Sequence, residues 1–127
     1  MQTDQRFQRR DRLRLTSEFA RVYAARRRAG NDILLVYVAD NRLGWSRLGL
    51  SVSKRVGNAV YRSRVRRLIR EAFRKSRAEL PVGIDIICVA KPRILQAAAE
   101  ITPLLRKFAA AAQARTSRED GRRPARE

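Results

Sequence analysis

The apolar positions of the chain recur with two periods, one typical of helices and one typical of strands. Residues 17–28 have the helical period. Their apolar side chains, spaced three and four residues apart, are Phe19, Val22 and Tyr23. Thr16 or Ser17 is expected to cap the start of this helix, because a side-chain hydroxyl accepts hydrogen bonds from the free backbone N–H groups there. The pair Gly30-Asn31 is expected to end it.

Three apolar segments have the composition or the alternation of β-strands. Residues 33–39 and 84–90 are runs of β-branched and large apolar residues, whereas residues 47–53 alternate between apolar and polar positions. In the alternating segment, one side consists of Leu48, Leu50 and Val52, and the other of Arg47, Gly49, Ser51 and Ser53. Because only the turn at residues 40–46 separates 33–39 from 47–53, we predict that these two strands pair as a hairpin.

A second helix is predicted from residue 59 to about residue 75. Asn58 is a favourable cap for its start, and Gly57 before it permits a positive φ. Its apolar stripe, counted from Tyr61 with about 100° per residue, consists of Val65, Leu68, Ile69 and Ala72. A last helix is predicted after Thr102-Pro103, with the threonine as its cap and the proline in its first turn.

The order of these elements, helix-strand-strand-helix-strand-helix, predicts an α+β domain in which helices pack on one sheet. We divide the chain into a flexible basic arm at residues 1–12, a single α/β domain at residues 13–114 and a disordered charged tail at residues 115–127. The tail is predicted from its composition, because charged residues dominate it and it has too few apolar residues to form a core.

Charge indicates the kind of partner. The 127 residues carry 30 Lys and Arg against 12 Asp and Glu, a formal net charge of +18. So large an imbalance draws a protein toward polyanions, of which nucleic acid is the leading candidate and an anionic membrane surface the weaker one. No apolar run approaches the roughly 18 residues that a membrane-spanning helix needs.

Half of the net charge lies in residues 54–77, which contain ten basic residues and one acidic residue, a net charge of +9. On the second predicted helix, the arginines that recur at intervals of four are Arg62, Arg66, Arg70 and Arg74, and Arg64 and Arg67 widen the row. The like-charge pairs cost about 1 kcal/mol in total, and Glu71, near Arg67 and Lys75, offsets only part of this. A merely solvated face usually mixes both signs of charge, so the row favours a helix that lies against a phosphate backbone.

The missing residue types limit the chemistry of the chain. It contains no histidine and one cysteine, Cys88, which is expected to be a buried, inert thiol. Zinc sites of the usual His/Cys kind and Ser-His or Cys-His nucleophile pairs are therefore excluded, and the acidic residues are scattered singly. We assign no catalytic residue and no metal ligand to this chain. The lone cysteine and an N-terminus without an apolar signal segment predict a cytoplasmic protein.

Among nucleic acids, the arrangement favours RNA. Strands flank the basic helix on both sides, which is not a helix-turn-helix pattern and suits folded or single-stranded RNA better than DNA. Three aromatic residues, Phe19, Tyr23 and Tyr37, either stack on unpaired bases or belong to the core. Ser51 is either an RNA contact or an ordinary exposed residue, and Trp45 either covers the end of the hairpin or contacts RNA.

The segment 47–74, RLGLSVSKRVGNAVYRSRVRRLIREAFR, resembles the signature of the bacterial ribonuclease P protein component. The family pattern combines a Gly-Leu-Ser-Val-Ser-Lys strand, a Lys/Arg-x-Gly-Asn-Ala turn and an Arg-Asn-Arg helix with further basic positions. The stretches SEFARVY, ILLVYV and DIICVAKP are similar to the family's first helix, first strand and third strand, so the resemblance covers roughly residues 13–110. Ser63 stands where the family has the asparagine of Arg-Asn-Arg, and Arg66 stands where lysine is common.

The resemblance implies the protein subunit of a ribonucleoprotein that removes the 5′ leader from precursor tRNA, with Mg²⁺ held mainly by a catalytic RNA. The implied partners are that RNA and precursor tRNA, without DNA or a membrane. The implied fold is a small two-layer α/β sandwich, ribosomal protein S5 domain 2-like, with a left-handed β-α-β crossover, whereas chain chirality alone favours a right-handed one. A structural RNA-binding protein of the ribosome is the alternative, because the charge fits it equally well.

The resemblance also implies two sets of site residues. Those expected to bind the catalytic RNA are Arg62, Ser63, Arg64, Arg66, Arg67, Arg70 and Arg74. Those expected to bind the leader, in a cleft between the first helix and the sheet, are Phe19, Tyr23, Tyr37, Ser51, Lys54 and Lys91. Serine is shorter than asparagine and has fewer hydrogen-bonding groups, so the contact made at position 63 is open while the flanking arginines are intact.

Overall fold

The computed structural model of the protein describes residues 7–115, in which three α-helices pack on a four-stranded sheet. The helices are α1 (Thr16–Ala25), α2 (Ala59–Ser76) and α3 (Ile101–Ala114). The strands are β1 (Arg27–Gly30), β2 (Leu34–Asp40), β3 (Arg47–Ser51) and β4 (Ile84–Ala90). Short 3₁₀ segments occupy Arg9–Asp11, Lys54–Val56, Arg77–Glu79 and Ile94–Glu100. The predicted α+β class is confirmed.

Strand β4 lies inside the sheet, whose strand order is β1-β2-β4-β3. Its sequence, IDIICVA, is an almost unbroken apolar run with six of seven residues buried, which is typical of a strand covered on both faces. It pairs antiparallel with β2 and parallel with β3. The predicted hairpin between residues 33–39 and 47–53 is therefore wrong, because the strand with two apolar faces occupies the place between them.

The two faces of the sheet carry different helices. On one face, α2 and α3 cover a core that includes Val36, Leu48 and Ile86. On the other face, α1 packs over a smaller cluster around Val22 and Ile87. Helix α2 is the crossover that joins the parallel strands β3 and β4. The left-handed course of this crossover, implied by the family resemblance, stays a prediction.

Strand β1 occupies part of the segment in which a helix was predicted. Helix α1 ends at Ala25, and the next residue, Arg26, has a φ of 59° that turns the chain out of the helix. Residues 27–30 then pair antiparallel with β2 as an edge strand. Gly30 does not end the helix. It lies so close to β2 that a Cβ atom there would be 2.6 Å from the carbonyl oxygen of Leu34.

The start of α1 is capped by a residue inside the helix. The carboxylate of Glu18 accepts hydrogen bonds from the backbone N–H groups of Arg14 at 3.1 Å and Leu15 at 3.2 Å. The prediction of Thr16 or Ser17 as the cap is wrong, since the helix begins at Thr16 with Leu15 in the cap position. A carboxylate near the positive end of the helix dipole is favourable as well.

Helix α2 begins as the sequence predicts. The side chain of Asn58 accepts a hydrogen bond from the backbone N–H of Tyr61 at 3.0 Å. Gly57 has a φ of 156°, and a Cβ atom there would lie 2.8 Å from the Tyr61 ring. The stripe facing the core is rotated from the predicted one. Val65, Ile69 and Ala72 are buried as predicted and Leu68 only partly, but Phe73 is buried too and Tyr61 is 47% exposed.

The described part of the predicted N-terminal arm, residues 7–12, is packed against the domain. The buried carboxylate of Asp11 accepts a hydrogen bond from Arg77 at 2.9 Å, and the ring of Phe7 meets Phe73 edge-on at 5.8 Å. The arm prediction is therefore wrong for these residues, because an ion pair and an aromatic contact hold them to the end of α2. Residues 1–6 and 116–127 lie outside the described residues, as does almost all of the predicted tail.

Helix α3 begins one residue before the predicted cap. Its first residue is Ile101, so Thr102 and Pro103 both lie within the first turn. A proline is tolerated there, because the N–H that it lacks has no partner in the first turn. The 3₁₀ segment at Ile94–Glu100 leads directly into the helix.

Candidate nucleic-acid interface

The arginines of α2 occupy the flank and the outer side of the helix. Arg62, Arg66 and Arg70, which recur every four residues, are half-buried along the flank, whereas Arg64 and Arg67 are exposed. The Nε atom of Arg62 is buried and has no hydrogen-bond partner among residues 7–115. The row is therefore partly set into the surface and does not stand fully opposite the buried stripe.

Arg74 differs from the other arginines of this row in having a carboxylate partner. Its Nη2 and Nε donate to the two carboxylate oxygens of Glu71 at 2.9 and 3.1 Å. The hydrogen bond from Arg74 holds the pKa of Glu71 below its ordinary value. Glu71 was expected near Arg67 and Lys75. The charge of Lys75 does act on it, but the direct partner is Arg74, which the sequence analysis did not name.

Five arginines of α2 have no carboxylate within salt-bridge distance among residues 7–115: Arg62, Arg64, Arg66, Arg67 and Arg70. Burial, followed by the like charges of Arg12, Arg66 and Arg67, lowers the pKa of Arg70. Arg12 comes from the N-terminal segment, so the structure adds a cation that the sequence analysis did not select. No local pattern marks Arg12, because its place beside α2 depends on the packing of residues 7–12.

A cluster of aromatic side chains lies between α1 and the second face of the sheet. The rings of Tyr23 and Tyr37 meet edge-on with centroids 4.8 Å apart, and Phe19 lies 6.4 Å from Tyr23. All three are only partly buried. The two interpretations of these residues are therefore compatible, since each ring contributes to a small core and also presents surface to solvent. We call Phe19, Tyr23 and Tyr37 the aromatic cleft.

Polar groups border the aromatic cleft. Burial raises the pKa of Tyr23, whose phenol also has a hydrogen bond with Ser51 that acts in the opposite direction. On the other side, the guanidinium of Arg28 donates to the phenol oxygen of Tyr37 at 3.5 Å. Arg28 was not selected from the sequence, because it lies opposite Tyr37 on β1, the strand that the sequence analysis did not predict.

The two predicted lysines lie at one end of the sheet. Because β3 and β4 are parallel, their carboxyl ends are at the same side. Lys54 begins the 3₁₀ segment after β3, and Lys91 directly follows β4 with its backbone N–H bonded to the carbonyl of Ile33 at 3.1 Å. Ser51, the last residue of β3, lies between this end and the aromatic cleft. The structure thus places three of the predicted leader-binding residues, Ser51, Lys54 and Lys91, near the carboxyl ends of β3 and β4.

A buried carboxylate fixes α1 to the sheet. Asp85 of β4 is fully buried, and its oxygens accept hydrogen bonds from Arg21 of α1, from Arg47 of β3 and from the side chain of Asn41. Arg47 also donates to Glu18 of α1 at 3.0 Å. The position of α1, and so of two rings of the aromatic cleft, depends on this group. The sequence analysis treated Asp85 as a scattered acid and gave it no role.

Comparison with known proteins assigns the chain to a family. The sequence matches the family model for Ribonuclease P over residues 7–113. The chain belongs to the ribonuclease P protein family. As a ribonuclease P protein, it is a subunit of that enzyme, has an RNA partner and takes part in tRNA processing. The alternative of a structural ribosomal protein is not supported.

Relatives of the ribonuclease P family align with most of the chain. A ribonuclease P protein component from Thermoanaerobacter sp. (strain X514) is 41% identical over 86 residues, which cover 68% of this chain and 74% of the relative. One from Coxiella burnetii (strain Dugway 5J108-111) is 46% identical over 87 residues, covering 68% and 71%. One from Desulfovibrio desulfuricans (strain ATCC 27774 / DSM 6949 / MB) is 42% identical over 107 residues, covering 77% and 82%.

Solved structures of the family share the fold. The RNase P protein of Staphylococcus aureus superposes with a TM-score of 0.67 at 31% identity, covering 76% of this chain and 90% of that one. The RNase P protein from Thermotoga maritima gives a TM-score of 0.64 at 25% identity, covering 76% and 96%. The similarity therefore extends over nearly the whole length of these ribonuclease P proteins.

Other predicted residues of this ribonuclease P subunit have definite places. Ser63 is exposed on α2 beside Arg64 and Arg67, where these three residues line a shallow depression. Trp45 packs on the N-terminal segment, with its Nε1 donating to the carbonyl of Arg10 at 3.0 Å. Cys88 is buried as predicted, and burial raises the pKa of its thiol to about 12.

The described carboxylates of the ribonuclease P subunit do not form a cluster. Among residues 7–115, no group of three or more acidic or cysteine side chains is placed to hold a metal ion. The two buried carboxylates, Asp11 and Asp85, each accept hydrogen bonds from arginine side chains. No helix among the same residues is long and apolar enough to cross a membrane.

Proposed function

We propose that this subunit binds the catalytic RNA of ribonuclease P through the arginines of α2 and binds the 5′ leader of precursor tRNA along the aromatic cleft. In this proposal the RNA performs the endonucleolytic removal of the leader and holds the Mg²⁺. The cytoplasmic location, deduced from the sequence, stays a prediction.

The unpaired arginines of α2 are the single observation that carries the proposal. Five guanidinium groups lie close together on one helix without a carboxylate partner in residues 7–115. Each like-charge pair on a helix surface costs roughly 0.2–0.5 kcal/mol. A phosphate backbone removes this repulsion, and the release of its counterions adds a favourable term. Arginine suits the role, because its planar guanidinium donates two parallel hydrogen bonds to a phosphate.

The aromatic cleft supports the second half of the proposal. Unpaired bases stack on aromatic rings irrespective of sequence, which suits a leader whose sequence differs between tRNAs. Phe19, Tyr23 and Tyr37 are held by α1 and β2 with part of each ring exposed. Arg28, Lys54 and Lys91 border or extend the cleft with positive charge, which suits the phosphates between the bases.

Reconstitution with a bacterial catalytic RNA tests the proposal. At low Mg²⁺ concentration, we expect the protein to increase both the affinity of the RNA for precursor tRNA and the rate of cleavage. The catalytic RNA alone and the catalytic RNA with an equal amount of a basic protein of another family are the controls. If neither quantity increases above these controls, the proposal is wrong.

Substrates with and without a leader test the aromatic cleft separately. Tyr37→Ala is expected to weaken binding of a precursor tRNA with a long leader by about 5- to 150-fold, since one stacked base is worth ~1–3 kcal/mol. Mature tRNA, which has no leader, should bind equally to both proteins. Tyr37→Phe is the matched control, because it keeps the ring and removes only the phenol oxygen near Arg28. An equal effect on both substrates would assign the cleft a different role.

A further inference from the structure

A groove at the free edge of β3 lies between the two surfaces discussed above and shares Arg70 with one of them and Phe19 with the other. It has a volume of about 290 Å³ and is open on one side. The N-terminal segment, the start of α1 and the flank of α2 enclose it. The residues that form its rim and floor are Phe7, Arg12, Arg14, Phe19, Leu50 and Arg70. It therefore lies between the arginines of α2 and the aromatic cleft, and it shares Phe19 with the latter.

The rim of the groove is cationic on two opposite sides. Arg12 and Arg14 come from the N-terminal segment, and Arg70 comes from α2. None of the three has a carboxylate within salt-bridge distance among residues 7–115. Their charges act on one another, because burial and then the charges of Arg12, Arg66 and Arg67 lower the pKa of Arg70. An anion between Arg12 and Arg70 would relieve this repulsion.

The floor of the groove is apolar and includes part of an aromatic ring. Phe7 and Leu50, which pack against the same core cluster, are both partly exposed there, and Phe19 lines the groove from the α1 face of the sheet. The Phe19 ring lies over β3 because Gly49 has no side chain, and a Cβ atom at that position would be 2.7 Å from Cζ of Phe19. The carbonyl of Leu48 points to the free edge of β3, where it accepts a hydrogen bond from the N–H of Leu13 at 2.9 Å. Backbone groups two residues apart on a strand point to the same edge, so those of Leu50 do as well. The backbone of Leu50 thus faces the groove.

An apolar floor beneath a cationic rim is complementary to a nucleotide. A base has an apolar face that stacks on aromatic and aliphatic side chains, and the negative phosphates beside it complement the positive charge of the rim. An acidic peptide would satisfy the rim but would leave the floor uncovered. The groove is also continuous with both proposed RNA-binding surfaces, so a strand that passes from one to the other crosses it.

We propose that this groove holds one unpaired nucleotide of RNA, with its phosphate between Arg12 and Arg70 and its base against Phe7 and Leu50. The inference rests on the proposed function and extends it to a surface formed by the N-terminal segment. The nucleotide belongs either to the catalytic RNA or to the leader of precursor tRNA. The experiment below distinguishes these two sources.

A site-specific crosslink identifies what occupies the groove. Cys88 is buried with a raised thiol pKa, so a cysteine introduced at the surface is the thiol that reacts with a photoreactive reagent. We place the reagent at the rim with Arg14→Cys, assemble the full chain with catalytic RNA and precursor tRNA, and map crosslinked nucleotides by primer extension. Ala110→Cys, exposed on α3, is the control position. We expect a crosslink to one unpaired nucleotide from the rim and none to that nucleotide from α3.

Each crosslinking result has a definite meaning. A crosslink to the catalytic RNA or to the leader supports the inference and names the source of the nucleotide. The absence of an RNA crosslink from the rim overturns it. A wild-type protein that binds RNA and stimulates cleavage while the rim gives no RNA crosslink leaves the proposed function intact. A wild-type protein that does neither contradicts both.

Affinity measurements test the phosphate contact in the groove. Arg12→Ala is expected to weaken binding of the catalytic RNA and precursor tRNA complex by about ten-fold and to reduce the slope of log K against log salt by about 0.7. Arg115→Ala removes the same charge at the end of α3, which packs on β1 at the opposite edge of the sheet, and should change neither quantity. Equal behaviour of the two folded variants overturns the inference. Circular dichroism tests whether both variants are folded. If Arg12→Ala is not folded, the crosslinking experiment alone decides the inference.

Discussion

Arg47 engages both oxygens of the buried Asp85 carboxylate, with Nε donating to Oδ1 at 2.9 Å and Nη2 donating to Oδ2 at 2.8 Å. Asp85 also receives a hydrogen bond from Arg21, so one carboxylate of β4 joins β3 and α1. A buried charge that loses its partner is far more costly than an exposed one. The attachment of α1 therefore depends on this group.

Asp85→Asn is expected to lower the free energy of unfolding by about 3–5 kcal/mol, because the guanidinium groups of Arg21 and Arg47 would lose their counter-charge. Urea denaturation measures this change. Asp32→Asn is the matched control, since Asp32 pairs with Arg93 at 2.7 Å with side chains 67% and 65% exposed. Such an exposed pair is worth at most about 1 kcal/mol. Equal losses in the two variants would show that the Asp85 cluster does not stabilise the fold.

The pKa of Glu18 makes the attachment of α1 sensitive to acid. Burial opposes ionisation of this carboxyl, but hydrogen bonds from the N–H groups of Arg14 and Leu15 and the charge of Arg47 outweigh it, so the pKa lies below the ordinary 4.5. A lowered pKa contributes stability that is complete above the ordinary value and is lost as the pH falls through the folded value. We therefore expect the free energy of unfolding to fall more steeply below about pH 4.5 in the wild-type protein than in Glu18→Gln. Urea titrations at a series of pH values measure both curves, and parallel curves would contradict the prediction.

Arg66 and Arg74 lie eight residues apart on α2, about two helical turns, but differ in their partners. Arg74 is bound by Glu71, whereas Arg66 has no carboxylate partner among residues 7–115. Arg66→Ala is expected to weaken RNA binding by about 1.5–3 kcal/mol, the range for a hydrogen bond to a charged group, and Arg74→Ala by clearly less. Glu71→Gln should increase affinity, because it frees Arg74. Filter binding or anisotropy with the catalytic RNA gives the affinities, and equal effects at positions 66 and 74 would refute the distinction.

The dependence of binding on salt reports the number of phosphates that α2 neutralises. If the five unpaired arginines each contact a phosphate, the slope of log K against log salt is expected to be about −3.5 to −4.5. Reversing the charge of Arg62 and Arg66 together should make this slope less steep while the circular dichroism spectrum is unchanged. A wild-type slope near zero would exclude phosphate contacts as the source of affinity.

Gly57 and Gly44 provide a matched pair for the turn before α2. At Gly57 the φ of 156° and the nearby Tyr61 ring leave no room for a Cβ atom, whereas nothing lies within 4 Å of a Cβ atom at Gly44. Gly57→Ala is expected to destabilise the protein by more than about 1 kcal/mol, and Gly44→Ala to leave its stability nearly unchanged. Thermal and urea unfolding give both values. Similar stabilities of the two variants would mean that the turn adapts.

Elements with strong local signals were predicted correctly from the sequence. Asn58 at the start of α2 and the almost unbroken apolar runs of β2 and β4 each carry their own signal, because capping and the burial of apolar side chains act within a few residues. The family signature at residues 47–74 also gave the function class directly. The relative positions of the arginines on α2 follow from helical geometry alone, so the row was predicted correctly. Only the orientation of the row relative to the core was wrong.

Features that depend on distant partners were missed. β1 contains two arginines and a glycine and becomes a strand only because β2 offers it an edge, so no local propensity marks it. A short turn between β2 and β3 favoured a hairpin of these two strands, but β4 pairs with both of them and separates them in the sheet. The roles of Asp11 and Asp85 likewise depend on arginines far away in sequence, Arg77 and Arg47. A single sequence does not contain these pairings as local patterns.

The central place of β4 has a consequence for synthesis of the chain. Translation proceeds from the N-terminus, so β3 and all of α2 leave the ribosome before residues 84–90, the strand that joins β3 to the rest of the sheet. Until that strand emerges, α2 has no completed sheet against which to bury its apolar side. The nascent chain therefore passes through a stage in which its most basic segment is made but not yet folded into place, and the domain closes only after β4 and α3, in the last third of the chain, have been synthesised.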